Sequence, residues 1–212
     1  MGSFEEIARA LIVGNHVRVR ELTEIALKEG TDPQEIIYKG LIPGINVVGE
    51  KFRNNEYYVP QVLLAARAMY AGMDLVRPLI AKLGARYLGR VVIGTAQGDL
   101  HDIGKNLVAM MLEGTGFEVI NLGSDVSPER FTEEARDKKA QIVGISALMT
   151  TTMPGMARTV EALKAAGIRD QVKVMIGGAP VTQLYADEIG ADGYARDATA
   201  AVAKAKELLS LV

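Results

Sequence analysis

Apolar residues in the first 84 positions recur at three- and four-residue spacing. IARALIVG and VRELTEIALKEG both show this spacing, which predicts helices with one buried face. Gly30 is placed like a helix C-cap. Thr31 or Asp32 then caps a third helix, with Pro33 at its first position. That helix is expected to run through IIYKGLIPGINVVGEKF, with Pro43 and Gly44 kinking or splitting it. A fourth helix begins near Pro60 and places Val59, Val62, Leu63, Ala66, Met69, Tyr70 and Met73 on one face. Residues 1–86 are therefore expected to form a four-helix bundle.

The period changes near residue 90. RVVIGTA, FEVINLG, QIVGISA, KVMIGGA and DGYA are short apolar runs rich in Val and Ile, separated by helical patterns that start at IGKNLV, PERFTE, PGMART, VTQLYA and ATAAVA. This alternation predicts an α/β domain with a doubly wound, flavodoxin-like parallel sheet over residues 90–212, in the order 2-1-3-4-5. Continuous apolar strands suit a sheet covered on both faces. The two domains are expected to join near GARYLGR, residues 84–90. No internal repeat or low-complexity stretch interrupts either half.

Composition narrows the function classes. The 212 residues are 49% hydrophobic, enough for a sizeable core, and the net charge is −2 with acids and bases interspersed. A nucleic-acid-binding protein would show a basic excess or face. Cysteine is absent, which removes disulfide and thiolate chemistry. The N-terminus carries acids where a signal peptide needs bases. No run approaches the ~20 apolar residues of a membrane span. A cytoplasmic protein that contacts neither membrane nor nucleic acid is the expectation.

In doubly wound folds, ligands bind beyond the carboxyl ends of the strands. Strand 1 is followed by GDLHDIGKN, Gly98 to Asn106; strand 3 by Ser146-Ala147-Leu148-Met149-Thr150-Thr151-Thr152; strand 4 by Gly177-Gly178-Ala179-Pro180. A phosphate loop needs four residues between its glycines, then Lys and a hydroxyl residue. Gly98 and Gly104 enclose five, Asn106 lacks the hydroxyl, and Asp99 and Asp102 would repel phosphate. GxGxxG is missing from the first turn. A phospho-receiver would have aspartate where strand 3 ends in Ser146. Zinc is poorly served by two histidines, His16 and His101, without cysteine. His16 has no partner constellation and is expected to border the second helix.

What remains is a histidine with one nitrogen free. Asp99, two residues before His101, could hold the other nitrogen, fixing the tautomer and raising ligand basicity. A hydroxyl from the Thr150–Thr152 loop could orient Asp99. Gly104 opens the next helix, where a side chain would obstruct a close ligand. On these residues alone, a polar turn with a helix-capping aspartate stands beside the ligand reading.

The three loops together resemble a known family. D-x-H-x-x-G, S-x-L and G-G, here Asp99-Leu100-His101-Asp102-Ile103-Gly104, Ser146-Ala147-Leu148 and Gly177-Gly178, are similar to the signature of cobalamin-binding domains. GDLHDIGKN resembles the same segment of cobalamin-dependent methionine synthase. VGEKFRNNEYYVPQVLLAARAM resembles the helical cap that precedes the cobalamin domain in methyltransferases. The isomerases that use cobalamin lack this cap. The folate, homocysteine and reactivation domains of methionine synthase do not fit in 212 residues. The likeness covers nearly the whole chain and points to the small corrinoid methyl-carrier proteins.

That resemblance implies cobalamin, or a related corrinoid, alternating between cob(I)alamin and methylcob(III)alamin. It makes His101 the lower axial cobalt ligand, with Asp99 and Thr152 completing a relay in which threonine replaces serine. It clears the nucleotide tail at Gly104 and sets Ser146, Thr150, Asp102, Ile103 and Leu148 along the cofactor. It lets the tail pass close to backbone at Gly177 and Gly178. Tyr58, Val59 and Leu63 become candidates for the methyl face, while Met69 and Met73 are assigned to the bundle core. The implied partners are a substrate-specific methyltransferase for a methylamine, methanol, betaine or aryl methyl ether, a second methyltransferase with tetrahydrofolate or a thiol as acceptor, and a reductive activation protein. The chain would not be catalytic alone. The alternative, a cobalamin-binding sensor or regulator, would be told apart by a DNA-binding module, and neither half reads as one.

Overall fold

The computed structural model describes residues 2–83 and 87–211. These divide into two compact units, one helical and one built on a sheet. Residues 84–86 of the expected linker lie outside the described residues.

The helical unit begins with α1, Gly2–Ile12, and α2, His16–Lys28. Asn15 caps α2 by accepting from the Arg18 amide at 3.0 Å, and His16 is its first helical residue. Gly30, just past α2, has φ of +82°. Asp32 rather than Thr31 is the next cap, accepting from the Gln34 amide at 2.8 Å with Pro33 opening the turn. The chain then stays helical from α3, Pro33–Glu35, through a π segment, Ile36–Leu41, into α4, Ile42–Arg53.

Of the two outcomes expected at Pro43, a kink or a split, the helix does not split but passes through a wider turn. Proline has no N–H, and in an α-helix its ring would clash with the carbonyl four residues back, here that of Lys39. The π segment, in which Ile42 N–H donates to the Ile37 carbonyl, accommodates that mismatch. Gly40 and Gly44 serve close packing on α1. A Cβ there would lie 3.2 Å from Ile7 and 3.0 Å from the Ala8 carbonyl oxygen.

The last helix of this unit, α5, spans Val59–Leu83. Its buried stripe is Val62, Ala65, Ala66, Met69, Met73 and Val76. Val59 and Leu63, expected on that face, are exposed. At 3.6 residues per turn, Leu63 lies ~100° round from Val62 and falls off the stripe. Met69 and Met73 are core residues, as expected.

The second unit alternates β1 (Arg90–Thr95), α6 (Ile103–Gly114), β2 (Glu118–Asn121), α7 (Pro128–Asp137), β3 (Ile142–Ser146), α8 (Pro154–Ala165), β4 (Lys173–Gly177), α9 (Gln183–Ile189), β5 (Gly193–Ala195) and α10 (Ala198–Leu208). The strands are all parallel, in the order β2-β1-β3-β4-β5. Their interiors are buried on both faces, as for Val91–Thr95 and Ile142–Ile145. One core cluster gathers Val92, Phe131, Val143, Met156, Val160, Leu163 and Val174. Each fully buried side chain of this size contributes roughly 1.5–3 kcal/mol.

Strand register decides which loops become neighbours. Thr95 pairs with Ser146, Ser146 with Gly177, and Gly177 with Ala195. Four strands thus end level, and the loops that leave β1, β3 and β4 start side by side. No helix among the described residues is long and apolar enough to cross a membrane.

Candidate functional site

Asp99 is the centre of the strand-end site and is fully buried. Its Oδ1 accepts from the His101 backbone amide at 3.0 Å and pairs with His101 Nδ1 at 2.8 Å. Its Oδ2 accepts from the Thr152 hydroxyl at 2.7 Å and from the Leu148 amide at 2.8 Å. The loops after β1 and β3 therefore meet on one carboxylate. Burial disfavours its charge. The His101 amide, Thr152 hydroxyl, Leu148 amide and His101 ring outweigh that effect and hold the group well below the ordinary carboxylate range.

An ionised Asp99 can only accept hydrogen bonds, so His101 Nδ1 is the donor in the pair. In the neutral ring, this leaves the lone pair on the second nitrogen, Nε2. The His101 side chain is 52% exposed while its holder is at 0%. The result is an imidazole held by a buried anion and half exposed. Thr152 has one hydroxyl proton and two acceptors in reach, Asp99 Oδ2 and the Met149 carbonyl at 2.9 Å. The charged acceptor makes the stronger bond. The added methyl of Thr152 finds room beside Gly98.

These contacts discriminate between the two local readings of the turn. A helix-capping aspartate would spend its oxygens on the first amides of α6. All four donors on Asp99 lie elsewhere. Among the described residues no group of three or more His, Asp or Glu side chains could hold a metal. The site therefore offers a metal one nitrogen, not a cage. Around it stand Leu100, 74% exposed, with Ile103, Leu148 and Met149 also exposed. A single nitrogen on loops that also expose apolar side chains fits a metal carried in a large, flat organic ring.

The glycines fall into two kinds. Gly178 has φ of +135°, and a Cβ there would sit 1.8 Å from the Ala147 carbonyl oxygen. A Cβ on Gly177 would sit 2.7 Å from the Ala195 carbonyl oxygen. The chain's own backbone demands both. Gly104 is helical, and a Cβ there would meet nothing within 4 Å. Packing does not require glycine at 104, so open space at the start of α6 is what its missing side chain leaves.

The remaining expected residues take no part in these hydrogen bonds to Asp99. Ser146 is half-buried at the end of β3, where its carbonyl accepts from the Ala96 amide at 2.8 Å, and Thr150 is exposed. Asp102 precedes α6, with its carboxylate on Asn106 Nδ2 at 2.9 Å. Tyr58, Val59 and Leu63 are exposed on the helical unit. Thr95 and Asp125 are among the positions that escaped the sequence reading. The buried Thr95 donates its hydroxyl to the His101 carbonyl at 3.0 Å. Asp125, at φ of +53°, accepts from the Gly98 amide at 2.7 Å, and its own amide donates to the Asp99 carbonyl at 2.9 Å. A polar residue closing an apolar strand was the available signal for Thr95.

Comparison with known proteins places the chain in a family. The family model described as a B12 binding domain matches residues 89–203, and a second model of the same description matches residues 3–77. Dimethylamine corrinoid protein 1 of Methanosarcina acetivorans is 48% identical over 207 residues, 97% of each chain. Trimethylamine corrinoid protein 1 of the same organism is 50% identical over 89% of this chain and 88% of that one. Among solved structures, the methanol:cobalamin methyltransferase complex of Methanosarcina barkeri superposes with a TM-score of 0.86 at 30% identity. That match covers 100% of this chain and 81% of the other.

Proposed function

The chain belongs to the B12-binding corrinoid proteins, methyl carriers whose cofactor is cobalamin or a related corrinoid, and from that premise we propose that it carries the methyl group of a methylamine on a cobalt bound by His101. The observation that carries the assignment is the Asp99–His101 pair. One imidazole nitrogen is spent on a buried carboxylate and the other is presented to solvent.

The cofactor supplies a cobalt that accepts and releases a methyl group. The protein's part is placement. Asp99 holds the His101 ring in one tautomer and raises its basicity toward the metal. Thr152 and the Leu148 amide hold Asp99, so a proton entering this relay weakens the imidazole as a ligand and a proton leaving restores it. Gly104 leaves the start of α6 open for the nucleotide tail, with Ile103, Asp102, Ser146 and Thr150 beside it. Leu100 and Leu148 would offer apolar contact to the ring, and Gly177 and Gly178 let the strand-4 turn pack against the Ala195 and Ala147 carbonyls. Tyr58, Val59 and Leu63 are the candidates for the methyl-bearing face.

Similarity supports a methylamine as the donor. The dimethylamine and trimethylamine corrinoid proteins are 48% and 50% identical to this chain, against 30% for the methanol complex. A methylamine methyltransferase would load the carrier. A second methyltransferase would pass the group to a thiol or to tetrahydrofolate, and a reductive activation protein would restore cobalt that had been oxidised.

The test is spectroscopic. His101→Ala is expected to retain a stoichiometric corrinoid but to change the visible spectrum of the methylated protein, since its lower ligand is gone. An unchanged spectrum would remove His101 as the ligand. Failure of the wild type to retain hydroxocobalamin would remove the corrinoid role itself.

A further inference from the structure

Among the described residues Lys105 is the one buried cation, and the Asp99–His101–Thr152 relay does not use it. It is 2% exposed, on the first turn of α6. Its ammonium donates to Asn106 Oδ1 at 2.5 Å and to Asn121 Oδ1 at 2.7 Å, both neutral amide oxygens. Burying an ammonium against amides is costly. Burial pushes Lys105 below the ordinary lysine range, with the charge of Asp102 opposing the shift.

The contacts form a closed circuit that runs through the His101 carbonyl. Asn106 Nδ2 donates to Asp102 Oδ2 at 2.9 Å, and the Asn106 amide donates to the Asp102 carbonyl at 2.7 Å. Asn106 Oδ1 also accepts from Asn121 Nδ2 at 3.0 Å, so its amide is locked in one orientation. Asn121 Oδ1 accepts from the Gly123 amide at 3.1 Å, and the Gly123 carbonyl accepts from the Thr95 amide at 3.0 Å. Thr95 closes the circuit by donating its hydroxyl to the His101 carbonyl at 3.0 Å. The ends of β1 and β2 and the start of α6 are thereby tied to the two peptide units on either side of Asp102, the first of which carries the His101 carbonyl.

We propose that Lys105 is a positioning residue for His101, acting through Asn106 and Asp102 to fix the backbone from which the imidazole projects. A positive charge suits that task better than a neutral donor. It polarises the Asn106 amide and so strengthens the N–H bond to the Asp102 carboxylate. Asp99 sets the ring and Lys105 sets the backbone beneath it. This rests on His101 as the cobalt ligand, which the His101→Ala spectrum tests separately.

Lys105→Met is the direct test, read in two ways. In the methylated holo-protein, the equilibrium between bound and released His101, followed in the visible spectrum at fixed pH, is expected to shift toward release by about threefold to tenfold. That range lies at or below the loss seen when a direct partner of a metal-ligating histidine is removed. In the cofactor-free protein, the His101 ring nitrogen signals are expected to move, because the Nδ1 bond to Asp99 loosens. Asn106→Ala cuts the same circuit at a half-buried position and leaves the Lys105–Asn121 contact in place. It decides the matter if Lys105→Met fails to fold, with the same direction expected. A wild-type spectrum and wild-type ring signals, with only a lowered melting temperature, would overturn the proposal and leave Lys105 as a core stabiliser. If His101→Ala itself left the spectrum unchanged, the ligand reading would fall, and the ring signals would still report on Lys105.

Discussion

A fully buried carboxylate with four donors is stable only as an anion, and that gives Asp99 a measurable pH signature. Its folded value lies below its unfolded value of ~3.9. The stabilisation is therefore fully present above about pH 4 and is lost as pH falls through the folded value. Asp99→Asn keeps one acceptor oxygen but turns an NH2 toward two donors. We expect it to cost the cofactor-free protein about 2 kcal/mol or more at pH 7. Denaturant titrations of both proteins should show that gap narrowing below about pH 4. A gap independent of pH would mean the carboxylate is not ionised in the folded state. His101, Asp99 and Thr152 were legible in the sequence because the turn brings its own aspartate and the family resemblance supplied the hydroxyl. Thr95, Asn121 and Lys105 were not, because a polar side chain at a strand end acquires meaning only from the group the fold sets opposite it.

At the scale of elements, the strand-end loops separate what the fold needs from what a ligand needs. Gly178 sits at left-handed φ against the Ala147 carbonyl, so Gly178→Ala should shift that turn and destabilise the cofactor-free protein by several kcal/mol, on the order of a severe core defect. Gly104 lies in a helix with open space before it. Gly104→Ala should leave the cofactor-free protein as stable as the wild type, or about 0.5–1 kcal/mol more stable. The larger Gly104→Val should still fold but lose corrinoid affinity. Melting curves with and without hydroxocobalamin check both. If Gly104→Val bound the corrinoid as well as the wild type, the open space would not be the tail's entry. The alternation of strands and helices, and hence the sheet order, could be read because parallel strands buried on two faces leave a strong apolar pattern. The π segment could not. Pro43 announces a disturbance, but whether a helix breaks or widens depends on its packing against α1 through Gly40 and Gly44.

On the scale of the whole molecule, each of the two compact units is matched by a B12-binding model, over residues 3–77 and 89–203. Neither match assigns a surface to a methylamine. Recognition of the methyl donor would then reside in a separate methyltransferase, and loading would require it. The reduced holo-protein mixed with dimethylamine or trimethylamine alone should keep its spectrum unchanged. Adding the matching methyltransferase should convert it to the methylated spectrum. The loading rate should scale with methyltransferase concentration until the complex saturates. The similarity to the dimethylamine and trimethylamine proteins, 48% and 50%, is too even to choose between those donors, so both methyltransferases belong in the experiment. Loading by a methanol-specific enzyme at a comparable rate would replace the methylamine assignment while keeping the carrier role. Methylation by an amine with no partner present would overturn the carrier role, because the recognition surface would then lie in this chain.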